Sequence, residues 1–447
     1  MACINSNIWR LLILNSKALI KTQSLVIITI IVVAAVGGTA AYVLWNGPIS
    51  STDTIKIGII GDLDHDTGKN VWQAAILAAE QINAEGGVLG RNFTIVAEDD
   101  DAYGRHDIAV AMNAFTKLII VDEADFILDS NSESQYVFPK QDLLAEHNKI
   151  LISTRATNED FTQRVLDDYE KYKYYFRAWF NDTSSSTGIS DGVITLGNYS
   201  GFTKVAILAV DTVAVKRMAS EMNSILPQHG FEIVYNGVVA PSVTDFTSYF
   251  AAIEESGAQI LNPILGRSQS FPFIREYADR QSPLVIWGSY NSAIDFWNLT
   301  EGKAEYTTNT GVPITAGYPL TSKTLPAREA YIDRWGEIPI RGAVSAYDVV
   351  RFILPDAINR AGTTETEAVI KALEKTDIET SLARRFVFTS SHDTMVGGGQ
   401  INRPDLDYMM ACKFQWQNGT LVPVYPKSLM METGATYIFP PWQGPWD

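Results

Sequence analysis

From Thr54 onward, short apolar runs alternate with longer segments whose apolar residues recur every three or four positions. The first run, "IKIGII", reads as a short buried strand. In the segment that follows, "VWQAAILAAEQINAEGG", Trp72, Ala75, Ile76, Ala79 and Ile82 fall on one helical face, and Gly86-Gly87 supplies the stop. "FTIVAEDD" and "HDIAVAMNAFTKLI" repeat the strand and the helix, and "DFILDS" and "KILIST" are two more strands around the helix "QYVFPKQDLLAEHN". After the tyrosine-rich "YKYYFRAWFND" the pattern restarts, with strands "KVAILAVD", "FEIVYNGVV", "AQILNPIL" and "LVIWGS" separated by helices around Met218, Phe250 and Ile274. Strands that alternate with helices form a parallel sheet covered on both faces. The pattern therefore predicts an α/β fold of two doubly wound parallel-sheet lobes, broken near Trp179. Ligands of such sheets bind beyond the carboxyl ends of the strands. The polar stretches at those ends are Gly61–Gly68, Asp129–Ser134, Ser153–Thr157, Asp211–Val215, Gly266–Ser270 and Gly288–Asn291.

A chain of 447 residues that is 46% hydrophobic and 19% charged is globular and long enough for two or three units. Its net charge of −16 argues against a nucleic-acid surface, which needs clustered Lys and Arg. Cys3 and Cys412 stand at opposite ends, so no disulfide framework and no Cys/His metal cluster follows from them. Ahead of the alternating pattern lies an uncharged run, Ser24 to Trp45, where about 20 apolar residues suffice to cross a bilayer. Arg10, Lys17 and Lys21 precede it and the first acid after it is Asp53, so the positive-inside rule puts residues from about 50 onward outside the cytoplasm. A cleaved secretory signal is the alternative, and either reading exports the bulk of the chain. Sequons at Asn92, Asn181, Asn198, Asn298 and Asn418 agree with export without proving it.

Three motifs bear on chemistry. In "GDLDHDTG", Asp62, Asp64 and Asp66 alternate after the first strand, but counting from Asp62 a calcium loop fails at Thr67 and Gln73, where it needs glycine and glutamate. A cleft-lining loop that leads through Thr67 into a helix fits better than an acid/base pair, with a solvated polar loop as the bland alternative. "GISDG" matches the Gly-x-Ser-x-Gly hydrolase pattern, yet "NDTSSST" before it cannot be the buried strand that motif requires. "DSNSESQ" places Ser132 and Ser134 between a strand and a helix, which suits either a carboxylate site or an ordinary helix cap. "STRATNED" repeats the arrangement with Arg155 and Thr157; Arg155 would pair an anion or a surface acid. Trp179 and Phe180 stand where the chain leaves the first run, either walling a cleft or packing beneath a hinge.

The stretches "IKIGIIGDLD", "AAEQINAEGGVLGRNFTIVAEDDDAYG", "KILISTRATNEDFT", "YFRAWFND", "KVAILAVD" and "FQWQNGTLVPVYP" resemble type I periplasmic solute-binding proteins, the branched-chain amino-acid/amide (Leu/Ile/Val-binding protein-like) receptors of ABC importers. The resemblance runs from about Ile55 to Pro426. It implies two lobes joined by crossings near Trp179–Asp182, Ile314–Tyr318 and Phe388–Gln400: residues 54–179 with 315–390, and 180–314 with 391–447, after a stub (1–23), an anchor (24–45) and a linker (46–53). It also implies that Ser134, with Ser132 close behind, and Thr157 hold a ligand carboxylate, with Thr67 contributing from the first-strand loop. The second run departs from the family pattern. Ala214 and Val215 stand where amino-acid binders present a tyrosine, Ser289 and Tyr290 stand where an acid is common, and Arg267 and Ser268 occupy a further contact position.

The expectation is a membrane-anchored extracellular receptor, not an enzyme and without a cofactor or metal, that captures a small polar solute and delivers it to ABC permease subunits. Its expected ligand contacts are Asp62, Thr67, Ser132, Ser134, Arg155, Thr157, Trp179, Arg267, Ser268 and Tyr290. The alternative is a ligand-sensing ectodomain acting through a partner membrane protein.

Overall fold

The computed structural model describes residues 54–443 except 103, 105–106, 132, 289–295, 340–341 and 398–405, and describes Ser134, Val213, Ala214 and Arg267 by their backbone alone. The expected stub, anchor and linker lie outside these residues. Among the described residues no helix is long and apolar enough to cross a membrane.

Five strands, β1 (Ile55–Gly61), β2 (Phe93–Asp99), β3 (Phe126–Asp129), β4 (Ile150–Ser153) and β5 (Tyr175–Arg177), form one parallel sheet in the order β2-β1-β3-β4-β5. Ile55, Ile57, Ile59 and Ile60 of β1 are fully buried, because helices cover both faces of the sheet. Burying each such side chain is worth about 1.5–3 kcal/mol. The helices are α1 (Asp66–Ala84), α2 (Ile108–Ile120), α3 (Ser134–His147) and α4 (Asp160–Asp167). The sequence pattern misplaced the inner face of α1. Trp72 is exposed and Ile76 only half-buried, whereas Val71, Ala74, Ala75, Ala78 and Ile82 are buried. α1 is enclosed by the sheet on one side and by a later helix on the other, so small residues rather than Trp72 sit inside.

The chain then forms α5 (Asp182–Ser200), which runs straight through "GISDG" and leaves Ser190 in mid-helix rather than on a strand-to-helix turn. A second parallel sheet follows, of β6 (Lys204–Val210), β7 (Glu232–Val239), β8 (Ile260–Ile264) and β9 (Val285–Ile286), in the order β7-β6-β8-β9. Helices α6 (Val213–Gln228), α7 (Thr247–Glu255) and α8 (Arg267–Arg280) alternate with these strands. The strand expected over "LVIWGS" shrinks to two residues plus a single parallel bridge from Trp287 to Thr308. That bridge leads on to β10 (Thr308–Gly311). The next helices, α9 (Thr324–Trp335), α10 (Gly342–Asp348, continuing through a π-helical segment into Leu354–Ala361) and α11 (Thr366–Leu373), return to the first sheet, where α10 packs along α1. A short antiparallel pair, β11 (Asp377–Ile378) and β12 (Phe386–Val387), precedes the return to β13 (Cys412–Gln417), β14 (Thr420–Tyr425) and α12 (Lys427–Thr433). β13 pairs antiparallel with both β10 and β14.

Each sheet has its own core. On β6 the residues alternate with the pleat: Val205, Ile207 and Ala209 enter one cluster, Ala206, Leu208 and Val210 another on the opposite face. Neighbouring stretches of the chain enter different cores. Phe180 belongs to the first core and Ile189 to the second; Val312 and Ile314 belong to the first while Ala316 and Tyr318 pack against the second; Phe388 belongs to the first and Leu406 to the second. The buried Arg177 guanidinium ties two of these passages together. Its Nε donates to Asp393 Oδ1 at 2.8 Å and its Nη1 to the Asn158 carbonyl at 2.7 Å, while Asn181 Nδ2 donates to Asp393 Oδ2 at 2.9 Å.

Candidate functional site

The order β2-β1-β3-β4-β5 reverses direction between β1 and β3, and open α/β sheets bind ligands at that switch point, beyond the strand carboxyl ends. Asp62 follows β1 directly. Its Oδ1 accepts the His65 amide at 3.0 Å, so the carboxylate shapes the turn into α1. His65 caps that helix, with Nδ1 accepting from the Thr67 amide at 3.4 Å. Gly68 makes the tight approach possible: a Cβ there would lie 2.1 Å from the Asp62 carbonyl oxygen. Thr67 is half-buried in the first turn, and Asp64 and Asp66 are exposed.

The backbone of Ser134 begins α3 just beyond β3, and Ser132 lies outside the described residues. Arg155 and Thr157 lie in the loop after β4, both half-buried. The Thr157 carbonyl accepts the Asp182 amide at 2.7 Å, which joins this loop to the start of α5. Trp179 is half-buried, packs against the first core and meets Phe180 edge to face at 5.0 Å. The first sheet thus brings Asp62, Thr67, Ser134, Arg155 and Thr157 to the ends of three adjacent strands.

Beneath these loops lies a buried ionic cluster that the sequence reading missed. Lys140 Nζ is 3.2 Å from both Asp129 oxygens and 3.5 Å from Asp100 Oδ2, and all three side chains are fully buried. Asn131 Nδ2 donates to Asp129 Oδ1 at 3.0 Å and also to Asp100, and the Asn131 amide donates to Asp129 Oδ1 at 2.9 Å. The Asp129 carbonyl accepts from both the amide and the hydroxyl of Thr154 at 3.0 Å. Burial pushes the Asp100 carboxyl above its ordinary value, against the pull of Lys140. A signal was available: Lys140 lies on the helix stripe of Tyr136, Val137 and Leu144, a face otherwise buried in the core.

At the second sheet, Thr212 caps α6 and Asp211 is exposed. The backbone of Arg267 opens α8 beyond β8, followed by the exposed Ser268; Tyr290 lies outside the described residues. The end of β9 is held from several sides. Asn262 Nδ2 donates to the Trp287 carbonyl, and the Gly288 amide donates to Thr308 Oγ1 at 3.1 Å. Thr310 Oγ1 donates to the Gly288 carbonyl at 3.2 Å, and Lys413 Nζ donates to that carbonyl and to Thr310 Oγ1.

Residues 54–401 match the model of the periplasmic binding protein family. The chain is 24% identical over 375 residues to Leu/Ile/Val-binding protein homolog 3 of Brucella melitensis, covering 82% of this chain and 93% of that protein. Among solved structures it is similar to one assigned to a branched-chain amino acid ABC transporter of Silicibacter pomeroyi, with TM-score 0.75 and 17% identity over 87% of this chain and all of that one. It is also similar to the substrate-binding protein LivJ of Streptococcus pneumoniae in complex with isoleucine, with TM-score 0.64 and 18% identity over 83% of this chain and 100% of that one.

Proposed function

Because the chain belongs to the periplasmic binding protein family, we propose that it is an extracellular solute-binding protein of an ABC importer, anchored by residues 24–45, that captures a small polar solute and passes it to the permease. The observation that carries the reading is the gathering of Asp62, Thr67, Ser134, Arg155 and Thr157 at the ends of β1, β3 and β4, beside the switch point of the first sheet. Residues 54–179 with 315–390 form one lobe and 180–314 with 391–447 the other. Ser132, Ser134, Thr157 and nearby amides hold the solute in the first lobe, and Trp179 walls the cleft. Arg267, Ser268 and Tyr290 meet the solute from the second lobe as it rotates inward. Closure is stabilised only by contacts that the solute makes with both lobes at once. No bond of the solute is made or broken.

A thermal-shift panel of amino acids, amides, urea, dicarboxylates and peptides tests this. A solute at a hundredfold excess over its Kd stabilises the fold by about 2.7 kcal/mol, and Ser134→Ala with Thr157→Ala is expected to abolish that shift without lowering the unliganded melting temperature. Equal binding by the double variant would refute the first-lobe site.

A further inference from the structure

Lys413 enters the protein interior from β13 and is 1% exposed. Among the described residues no carboxylate stands within ion-pair distance of it. Its neighbours are the Gly288 carbonyl, Thr310 Oγ1 and, 5.7 Å from Nζ, the centre of the Trp287 ring. An ammonium has three N–H donors and a neutral amine two. The two acceptors therefore satisfy the neutral form and leave the charged form with one unused donor and only a ring face for compensation. A side chain needed solely to hold Gly288 would not have to carry a charge. Both acceptors mark the same edge: Gly288 follows β9 and Thr310 lies near the end of β10, so Nζ sits at the carboxyl edge of the second sheet.

We infer that Lys413 selects for a negatively charged group on the part of the solute that faces the second sheet. The inference rests on the solute-binding reading above and narrows it. With one carboxylate held by the hydroxyls and amides of the first sheet, the favoured solute carries a second acidic group, as a dicarboxylate or an acidic amino acid does. Burial, with no counter-ion among the described residues, keeps the Lys413 ammonium well below its ordinary pKa, and an arriving anion supplies what the site lacks. An anion arriving beyond the end of β9 draws a proton onto Nζ, and the resulting attraction needs no direct contact, because Coulomb attraction falls off slowly in a poorly solvated interior.

The test is calorimetric titration of the full chain in detergent with matched pairs that differ by one charge: succinate and succinamate, glutarate and glutaramate, L-glutamate and L-glutamine, with L-isoleucine as the reference for a single carboxylate. At least one diacid is expected to bind about tenfold or more tightly than its monoamide. Lys413→Gln, which keeps a donor for Gly288 without the charge, is expected to erase that preference while leaving the unliganded melting profile in place. A preference that survives Lys413→Gln overturns the inference, as does tightest binding by L-isoleucine or by a monoamide. Failure of all these solutes while another of the wider panel binds overturns the inference alone, and failure across both panels removes the function reading with it. If the variant does not fold, the diacid-to-monoamide ratio of the parent decides alone.

Discussion

The two sheets each bury a lysine at their carboxyl edge and treat it in opposite ways. In the first, Lys140 lies between Asp129 and Asp100, and Asn131 fills the remaining acceptor positions. In the second, Lys413 meets a carbonyl, a hydroxyl and an indole face. A buried charge costs several kcal/mol unless it is paired and hydrogen-bonded. The first arrangement meets that cost internally and fixes the loops around Ser134 and Thr157. The second leaves it open, which makes the edge of β9 responsive to whatever charge arrives there. The first cluster thus holds its loops still, and on the inference drawn above the second sheet discriminates.

Removing the paired lysine gives the largest effect that would sharpen this contrast. Lys140→Met strands two buried carboxylates and is expected to destabilise the fold by about 3–5 kcal/mol, read from the urea midpoint. A loss below about 1 kcal/mol would mean the cluster is not an ion pair in solution.

A pH series probes the other lysine. The folded-state pKa of Lys413 lies below its unfolded value of about 10.4. Between those two values the unfolded chain binds the extra proton, so the contribution of Lys413 to stability rises with pH, by up to about 1.4 kcal/mol per pH unit. Urea midpoints of the parent and of Lys413→Met, followed upward in pH toward the unfolded value, are expected to diverge in the parent's favour. Parallel curves would show that the ammonium is charged and compensated throughout. The smallest loss is that of Lys413→Met at neutral pH, expected to cost at most about 1 kcal/mol, because the uncompensated burial of the lysine is removed with its bonds. The bonds to Gly288 and Thr310 are lost, but no buried partner is left unpaired.

Much of the fold was legible in the order of residues. The strands β1 to β4 and β6 to β8 announce themselves as apolar runs, whereas β5 lies inside the tyrosine-rich stretch that was read only as a break in the pattern, and "GISDG" was rightly set aside, since the segment before it belongs to the same helix. The loops after β1, β3 and β4 were legible as the places to look, because strand polarity alone puts them at one end. The inner face of α1 was not legible, since a helix enclosed from two sides buries small residues and pushes Trp72 outward.

Local pattern by itself determined the alternation of elements, the parallel sheets and the candidate loops, because periodicity and turn chemistry act over a few residues. Only the tertiary structure decided which charges are buried and with whom. In "CKFQWQ", strict alternation would put Lys413 and Gln415 in water, yet both are buried because their face of β13 is covered, over Lys413 by Gly288 and over Gln415 by Tyr306 and Ile438. Asp100, Asp129 and Lys140 come from three separate segments that only the packed sheet brings together. The environment of a charge is set by everything folded around it, and no short stretch of chain encodes that.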